Sequence, residues 1–456
     1  MTKNTSDMTN CPIISGVWLY TIPIILTGIL QLLFNAADLI VVGHLCGSVY
    51  VAAVGATGAL INLLTNLFIG LSVGAGVTVA HGLGSGRFED VRRTVHTAIP
   101  TAFVSGIILT VIGVAGARTF LEMMDTDAEV IVHSTRYMRI YFLGITASML
   151  YNFGAAILRA AGDTRSPLVY LMIAGAANVV LNVVFIVALK MDVDGVASAT
   201  AISQCLSAVL IIRELSRRTD ACRFELKKVR FYPEQLRRIF RIGVPAGVQG
   251  SLFSISNVLI QSSVNSFGPT VMAGNAAAQN IEGFVYISMN SFHQTALNYT
   301  GQNFGARRFD RIRRISAVCI GSVFLTGLTL GLLAHSADRQ LLSIYITDDA
   351  EAIRYGMIRV AYICIPYFLC GLMDVSTGLI RGLGSSLLPM LITVVGVCGI
   401  RIAWIYTVFR IPKYHTLQNL YFSYTISWAL TFLTELIVFL IILKKRSRGA
   451  KEPIAQ

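Results

Sequence analysis

The sequence predicts an all-α integral membrane protein of twelve transmembrane helices, arranged as two parallel six-helix repeats. Three observations predict it. The first is composition: 54% of the 456 residues are hydrophobic and only 13% are charged, where a soluble domain carries about 25% charge. The second is a series of long apolar runs, each reaching the roughly 20 residues a helix needs to cross the hydrocarbon core. They lack the alternation that ten-residue barrel strands require. The third is an echo: GSGRFEDVRR at 84–93 returns as GARRFDRIRR at 305–314, in both cases after a long apolar run.

The elements follow in order. The opening MTKNTSDMTN is polar, and the apolar run behind it extends about thirty residues without a small-residue cleavage site, too long for a signal-peptide core. It reads as the first span, near 14–42, and five more follow near 51–81, 92–117, 133–157, 167–189 and 194–215. These six make an N-terminal lobe, 1–215, and a basic, polar stretch at 216–235 is the linker. A C-terminal lobe, 236–456, holds spans near 236–266, 271–302, 312–334, 352–379, 387–409 and 419–443, then a basic tail. Pro23 and Pro245 fall inside the first and seventh spans, where proline bends a helix.

The formal charge of +13 is distributed, not clustered on one domain. Most lysine and arginine lies in the tails and in the connections after spans 2, 4, 6, 8 and 10. The opposite loops are poor in base, and MMDTDAE (123–129) and ITDDAE (346–351) are acidic. By the positive-inside rule both termini are cytoplasmic in an inner, multi-pass membrane location. The basic loops are expected to set topology and touch lipid head groups, not to bind nucleic acid. The eight cysteines show no CxxC spacing and no accompanying histidine pattern, so neither a disulfide nor zinc is expected. Phosphate-loop and HExxH motifs are missing, and the GxSxG match GLSVG at 70–74 lies inside an apolar span, which points away from an enzyme and from direct use of ATP.

The echo extends over the whole half. Pro23 is matched by Pro245, Gly28 by Gly250 and Asn35 by Asn257, each 222 residues later. LRAAGDTRSP (158–167) is matched by IRGLGSSLLP (380–389), with Arg159 on Arg381, Gly162 on Gly384 and Pro167 on Pro389. A near-constant offset of this kind marks an internal duplication. Six spans is an even number, so both repeats start on the same side and are related by an axis along the membrane normal. The repeated basic phrase is then the cytoplasmic turn between helices 2 and 3 and between helices 8 and 9.

Five phrases carry a resemblance: LLFNAADLIVVGHL (32–45), GLSVGAGVTVAHGLGSG (70–86), LRAAGDTRSP (158–167), NVVLNVVFI (178–186) and TGQNFGA (300–306). In this order, with the doubled six-span pattern, the chain resembles the multidrug and toxic compound extrusion (MATE) family of antiporters over nearly its whole length. The resemblance implies a V-shaped, two-lobed transporter with a central cleft. It implies export of cationic amphipathic drugs or metabolites against entry of Na⁺ or H⁺, with no cofactor and in a monomer. The alternative within the same superfamily is a flippase for a lipid-linked saccharide, which would want a strongly basic cavity. A channel is a third reading, and an acid on one lobe only argues against a symmetric pore.

Ionisable groups at mid-bilayer are costly and mark sites. The intramembrane charges read as mainly acidic: Asp38, Glu282, Asp374 and Glu435. Gln31, Asn35 and Asp38 are spaced by four and three and share a helical face. The repeat mate of Asp38 is Ile260, so the acid is confined to one half. The resemblance places an essential acid at Asp38, faced by the pair Asn178 and Asn182; some relatives carry an acid where this chain has Asn182. Carboxylate and amide oxygens suit a hard cation, so Na⁺ at Asp38, Asn178 and Asn182 is one expectation and a proton the other. Asn152 joins this cluster. Glu282, Asp374 and Asn257 in the second half, with Gln31 and Tyr151 in the first, are expected to serve substrate or protons, and an acid that one branch carries in helix 7 is replaced near Phe253. Glu435 and Arg401 are expected to snorkel or pair. Tyr151, Tyr286, Tyr367, Phe68 and Met289 could line a cavity for flat cations, although helix packing or the aromatic belt is the favoured reading.

Overall fold

A computed structural model of the chain describes residues 8–45, 48–124, 126–346 and 349–449. Cys46, Asp125, the middle of the second acidic loop and the last residues of the tail lie outside the described residues. The first six helices are α1 (Ile13–Leu45), α2 (Ser48–Gly84), α3 (Phe88–Met123), α4 (Ala128–Ala160), α5 (Arg165–Ala188) and α6 (Val193–Arg217). The next six are α7 (Pro233–Asn265), α8 (Pro269–Gly305), α9 (Phe309–Ser336), α10 (Ala350–Gly382), α11 (Leu387–Arg410) and α12 (Leu417–Gly449). Among the described residues, eleven helices are long and apolar enough to cross a membrane. The twelfth, α8, has the length at 37 residues but carries Asn275, Gln279, Asn280, Glu282, Asn290 and His293 along it.

The duplication is visible in backbone geometry. Gly86 has φ 69° and its mate Arg307 has φ 57°. The next residues, Arg87 and Arg308, adopt φ −83°, ψ 70° and φ −88°, ψ 66°. The hydrogen bonds repeat too: Arg87 N to Gly82 O is 3.0 Å, and Arg308 N to Asn303 O is 2.9 Å. Glycine takes the left-handed conformation freely, whereas an L side chain there costs roughly 1–2 kcal/mol; the second repeat tolerates it in Arg307. Gly162 and Gly384, at φ 91° and 84°, end the matched helices α4 and α10. Matched helices α5 and α11 each contain a π turn, Val184–Ala188 and Val394–Gly399.

Compact packing follows a different line from the repeat. One unit is Leu26–Ser251; the other combines Met8–Ile25 with the described residues from Leu252 onward. In the first unit, α2–α6 enclose a core that includes Val95, Phe142, Met149, Phe153 and Ile211. There α2 and the first part of α7 cross on glycines. A Cβ on Gly74 would come within 2.9 Å of Gly243 N, and one on Gly243 within 2.6 Å of Leu71 Cα. Gly70, Gly74, Gly243 and Gly247 thus form two four-residue pairs of the small-xxx-small kind that lets membrane helices touch backbone to backbone. In the second unit, the first part of α1 packs on α8. Thr21 Oγ1 lies 2.7 Å from Thr295 Oγ1, and the Tyr20 and Tyr299 rings meet edge to face at 5.4 Å.

Candidate functional site

The first unit contains a polar cavity of 270 Å³. From α1 it is lined by Gln31, Asn35 and Asp38, the shared face expected from their spacing. From α4 come Ser148, Tyr151 and Asn152, and from α5 comes Asn178. Asn182 sits one turn further along α5, fully buried, and donates from Nδ2 to Asp38 Oδ1 at 2.5 Å and to Asn178 Oδ1 at 3.3 Å. Asn178 in turn donates to Thr200 Oγ1 at 3.3 Å. Asn182 Oδ1 is buried without a hydrogen-bond partner among the described residues. Gly175 makes room on α5 for the ring of Phe34, where a Cβ would collide with it.

Thr200, Ser203, Gln204 and Ser207 of α6 also line the cavity, and sequence reasoning missed them. Their spacing at three and four was the available signal. Small polar residues are so common in membrane helix packing that the stripe does not stand out. Tyr151 lies at the cavity edge with its hydroxyl donating to Pro167 O at 3.0 Å, and Asn152 donates to its own helix at Ser148 O, 2.9 Å. The arrangement offers one carboxylate and several neutral oxygens, including the orphaned Asn182 Oδ1. Among the described residues no three His, Cys, Asp or Glu side chains converge as a metal cluster would require. That donor set suits a single monovalent cation or a proton better than a divalent metal.

The second unit deals with its charges differently. Glu282 is buried and takes a two-pronged ion pair from Arg359, Nε to Oε1 at 2.6 Å and Nη2 to Oε2 at 2.8 Å. Arg359 also donates to Asn275 Oδ1 at 2.6 Å, which accepts a further bond from the Tyr421 hydroxyl at 3.0 Å. Glu435 is fully buried and accepts from Thr377 at 2.8 Å and Thr393 at 2.9 Å. Arg401 does not snorkel: it is 2% exposed, lies 3.9 Å from the centre of the Tyr424 ring and donates to Ser427 Oγ at 3.1 Å. Asp374 is half-buried, its Oδ2 has no hydrogen-bond partner among the described residues, and its backbone carbonyl faces His293 Nδ1 at 2.5 Å.

Buried Arg359, Arg381 and Arg401 overturn the expectation of mainly acidic intramembrane charge. Arg359 escapes notice because its acid, Glu282, lies 77 positions away, and the burial of Arg381 and Arg401 is decided by helix packing that the sequence does not display. Asn257 is exposed, and Met289 is fully buried in the core of the unit. Tyr286 and Tyr367 stack at 6.3 Å, and Tyr367 continues onto Trp428 at 5.1 Å.

Comparison with known proteins agrees with the architecture. The MatE family profile matches residues 23–184 and 245–407, one match in each half. The chain is 26% identical to the "Probable multidrug resistance protein YoeA" of Bacillus subtilis, over 94% of this chain and 95% of that one. It is 23% identical to the "Probable multidrug resistance protein NorM" of Thermotoga maritima, over 81% of this chain and 80% of that one. Among solved structures, an outward-facing multidrug resistance MATE family transporter of the MOP superfamily superposes with a TM-score of 0.90 at 18% identity, covering 98% of this chain and all of that one. At that identity the likeness speaks for the fold.

Proposed function

The chain belongs to the MatE family, and on that premise we propose that it is a secondary antiporter exporting cationic amphipathic compounds, with one Na⁺ or H⁺ entering at Asp38 per cycle. The observation that carries this reading is the position of Asp38: among the residues lining the 270 Å³ cavity it is the one carboxylate. It is held by Asn182 and surrounded by neutral oxygens from α4, α5 and α6.

A charged carboxylate in such a setting needs a partner. Here that partner is the amide of Asn182 at 2.5 Å. A Na⁺ would exchange that donor for an ion held by Asp38, Asn178 Oδ1, Thr200 Oγ1 and, after a turn of its amide, Asn182 Oδ1. A proton would convert Asp38 from acceptor to donor and leave the Asn182 amide group to reorient. Either event changes the pairing between α1 and α5, and a cationic substrate competes for the same negative charge. Alternating access follows if the loaded and unloaded pairings favour different conformations. Tyr151 and Asn152, at the same cavity, would meet the substrate. The inner membrane as location and cytoplasmic termini are part of this proposal and rest on the loop charges.

A lipid-linked saccharide would require cations facing a cavity. Arg359 and Arg401 in the second unit are instead engaged by Glu282 and by the Tyr424 ring.

The test is efflux of a fluorescent organic cation from proteoliposomes under a Na⁺ gradient and, separately, under a pH gradient. One gradient alone is expected to drive export, and Asp38→Asn is expected to cut that export at least about tenfold, the usual scale of losing an interaction worth 1.4 kcal/mol, with the protein still monodisperse. Normal gradient-driven export by Asp38→Asn would overturn the assignment.

A further inference from the structure

A second cavity, of 350 Å³, lies away from the membrane-embedded site, between the start of α3 and the linker. Arg92, Arg93, Lys227, Lys228 and Arg230 line it with Glu89, His96, Val229 and Tyr232. Five cations therefore surround one carboxylate. Glu89 is shared by Arg93 at 3.3 Å and Arg92 at 3.7 Å, and Lys228 is engaged by Glu225 at 2.8 Å. Among the described residues Lys227 and Arg230 have no carboxylate partner.

The linker is fastened to the unit and is not a loose tether. His96, 1% exposed, places Nδ1 2.7 Å from Arg92 O and accepts the Glu225 backbone N–H at Nε2, 3.0 Å, which makes it a neutral ring. Its ring stacks on Phe224 at 5.6 Å. Thr97 Oγ1 accepts the Tyr232 backbone N–H at 3.2 Å. Two guanidinium groups lie over the Tyr232 ring, Arg93 at 5.6 Å and Arg230 at 5.9 Å. Upstream, Arg218 pairs with Asp163 at 3.7 Å with both side chains 2% exposed. The duplication supplies a control for whether these fastenings are built for the linker. At the matching positions of the second half stand Ala317 for His96, Val318 for Thr97 and Ser385 for Asp163, while the arginines recur as Arg313 and Arg314. The basic turn is common to both repeats, but the groups that dock the linker belong to the first; in the second, Arg308 and Arg311 instead hold the N-terminal segment, at Thr9 O (2.6 Å) and Cys11 O (2.8 Å).

We propose that this cavity binds a phosphate-bearing anion, and that the head group of an anionic phospholipid fills it. Arginine and lysine side chains converging from a helix and a docked segment match phosphate oxygens. The lipid source is favoured by what flanks the cavity in sequence. Phe88 is 60% exposed, Leu226 79%, Phe231 46% and Val229 39%. Large exposed apolar side chains interleaved with basic ones describe a segment seated at a membrane interface, with apolar groups toward the acyl chains and cations at head-group level. A free phosphate would have no use for the apolar rim. This site is independent of what the protein exports.

The test is native mass spectrometry of the full-length protein in non-ionic detergent, titrated with phosphatidylglycerol, with phosphatidylcholine and with inorganic phosphate. Wild type is expected to retain phosphatidylglycerol preferentially. Each basic side chain near an anionic head group contributes roughly a factor of five, so Arg92→Gln/Arg93→Gln/Arg230→Gln should lose on the order of a hundredfold. These side chains are about half exposed, and a milder variant confined to the linker, Lys227→Gln/Arg230→Gln, should lose roughly twenty-five-fold on the same scale. Arg313→Gln/Arg314→Gln should retain wild-type affinity. Equal phosphatidylglycerol binding by wild type and both linker-site variants, or equal loss in the Arg313 and Arg314 control, would overturn the site. Binding of inorganic phosphate that displaces the lipid would uphold the anion chemistry and overturn the lipid as its occupant.

Discussion

Asp38 and Glu282 are both acids inside apolar helices, yet their neighbours treat them oppositely. Asp38 has one amide donor and an open cavity; Glu282 has both oxygens on one guanidinium. The first arrangement can exchange its partner, the second cannot without stranding Arg359. Removing one member of a buried ion pair costs roughly 3–5 kcal/mol. Glu282→Gln and Arg359→Met are therefore each expected to lower the melting temperature in detergent sharply, and the double variant to recover part of the loss. If Glu282→Gln melted like wild type yet abolished export, the carboxylate would be moving a proton and not holding the fold. Asp38 was legible in the sequence because an acid in an apolar run is expensive and its face carried Gln31 and Asn35. The Glu282 lock was not, because Arg359 lies 77 positions away and pairing across that distance is decided by how α8 and α10 pack.

At the scale of elements, the spans were legible because crossing length and apolar composition are local properties. Their contacts were not, and glycine shows why. Gly58 and Gly247 look alike in sequence, yet a Cβ on Gly58 meets nothing within 4 Å, while one on Gly247 meets Leu67 Cα at 2.8 Å. Backbone cannot give way as a side chain can, so Gly247→Ala is expected to destabilise by about 1–3 kcal/mol. Gly58→Ala should be neutral or gain up to about 1 kcal/mol from helix propensity. Thermal melts of the pair check it; equal melting temperatures would mean that α2 and α7 do not touch on these glycines. The linker offers a chemical readout of the same kind. Cys222, within the linker, is fully buried, and burial pushes its thiol up to about 12. The thiolate is the reactive form, so alkylation of the Cys222 peptide at neutral pH should be very slow in the folded protein and rise only toward strongly basic pH. His96→Ala combined with Arg218→Ala, which removes two fastenings, should return labelling to the midpoint of an ordinary thiol, near pH 8.5. Rapid labelling of wild type at neutral pH would show that the linker is not docked.

Across the whole molecule, the duplication was readable from a near-constant offset, but the compact units were not, since α1 and α7 each contribute to both. The two units also divide their chemistry. One presents a single carboxylate to a membrane-embedded cavity; the other pairs Glu282 with Arg359 and buries Glu435 and Arg401 against hydroxyls and a ring. If coupling runs through Asp38 alone, one positive charge enters per cycle, and the charge of the substrate decides whether the membrane potential takes part. Exchange of one entering cation for one leaving monovalent cation moves no net charge, so a potential imposed by potassium and valinomycin, with the same coupling-ion gradient, should leave its steady-state accumulation ratio unchanged. A net-neutral substrate would carry one charge inward per cycle, worth about 2.3 kcal/mol per 100 mV, and its ratio should rise roughly fiftyfold at that potential. A dication should be opposed by the same factor. Flux of the three substrate classes at several clamped potentials measures this directly. A monovalent cation whose accumulation grew with potential would require a second coupling ion, and Asp374, half-buried with an unpartnered oxygen in the second unit, would be the residue to replace next.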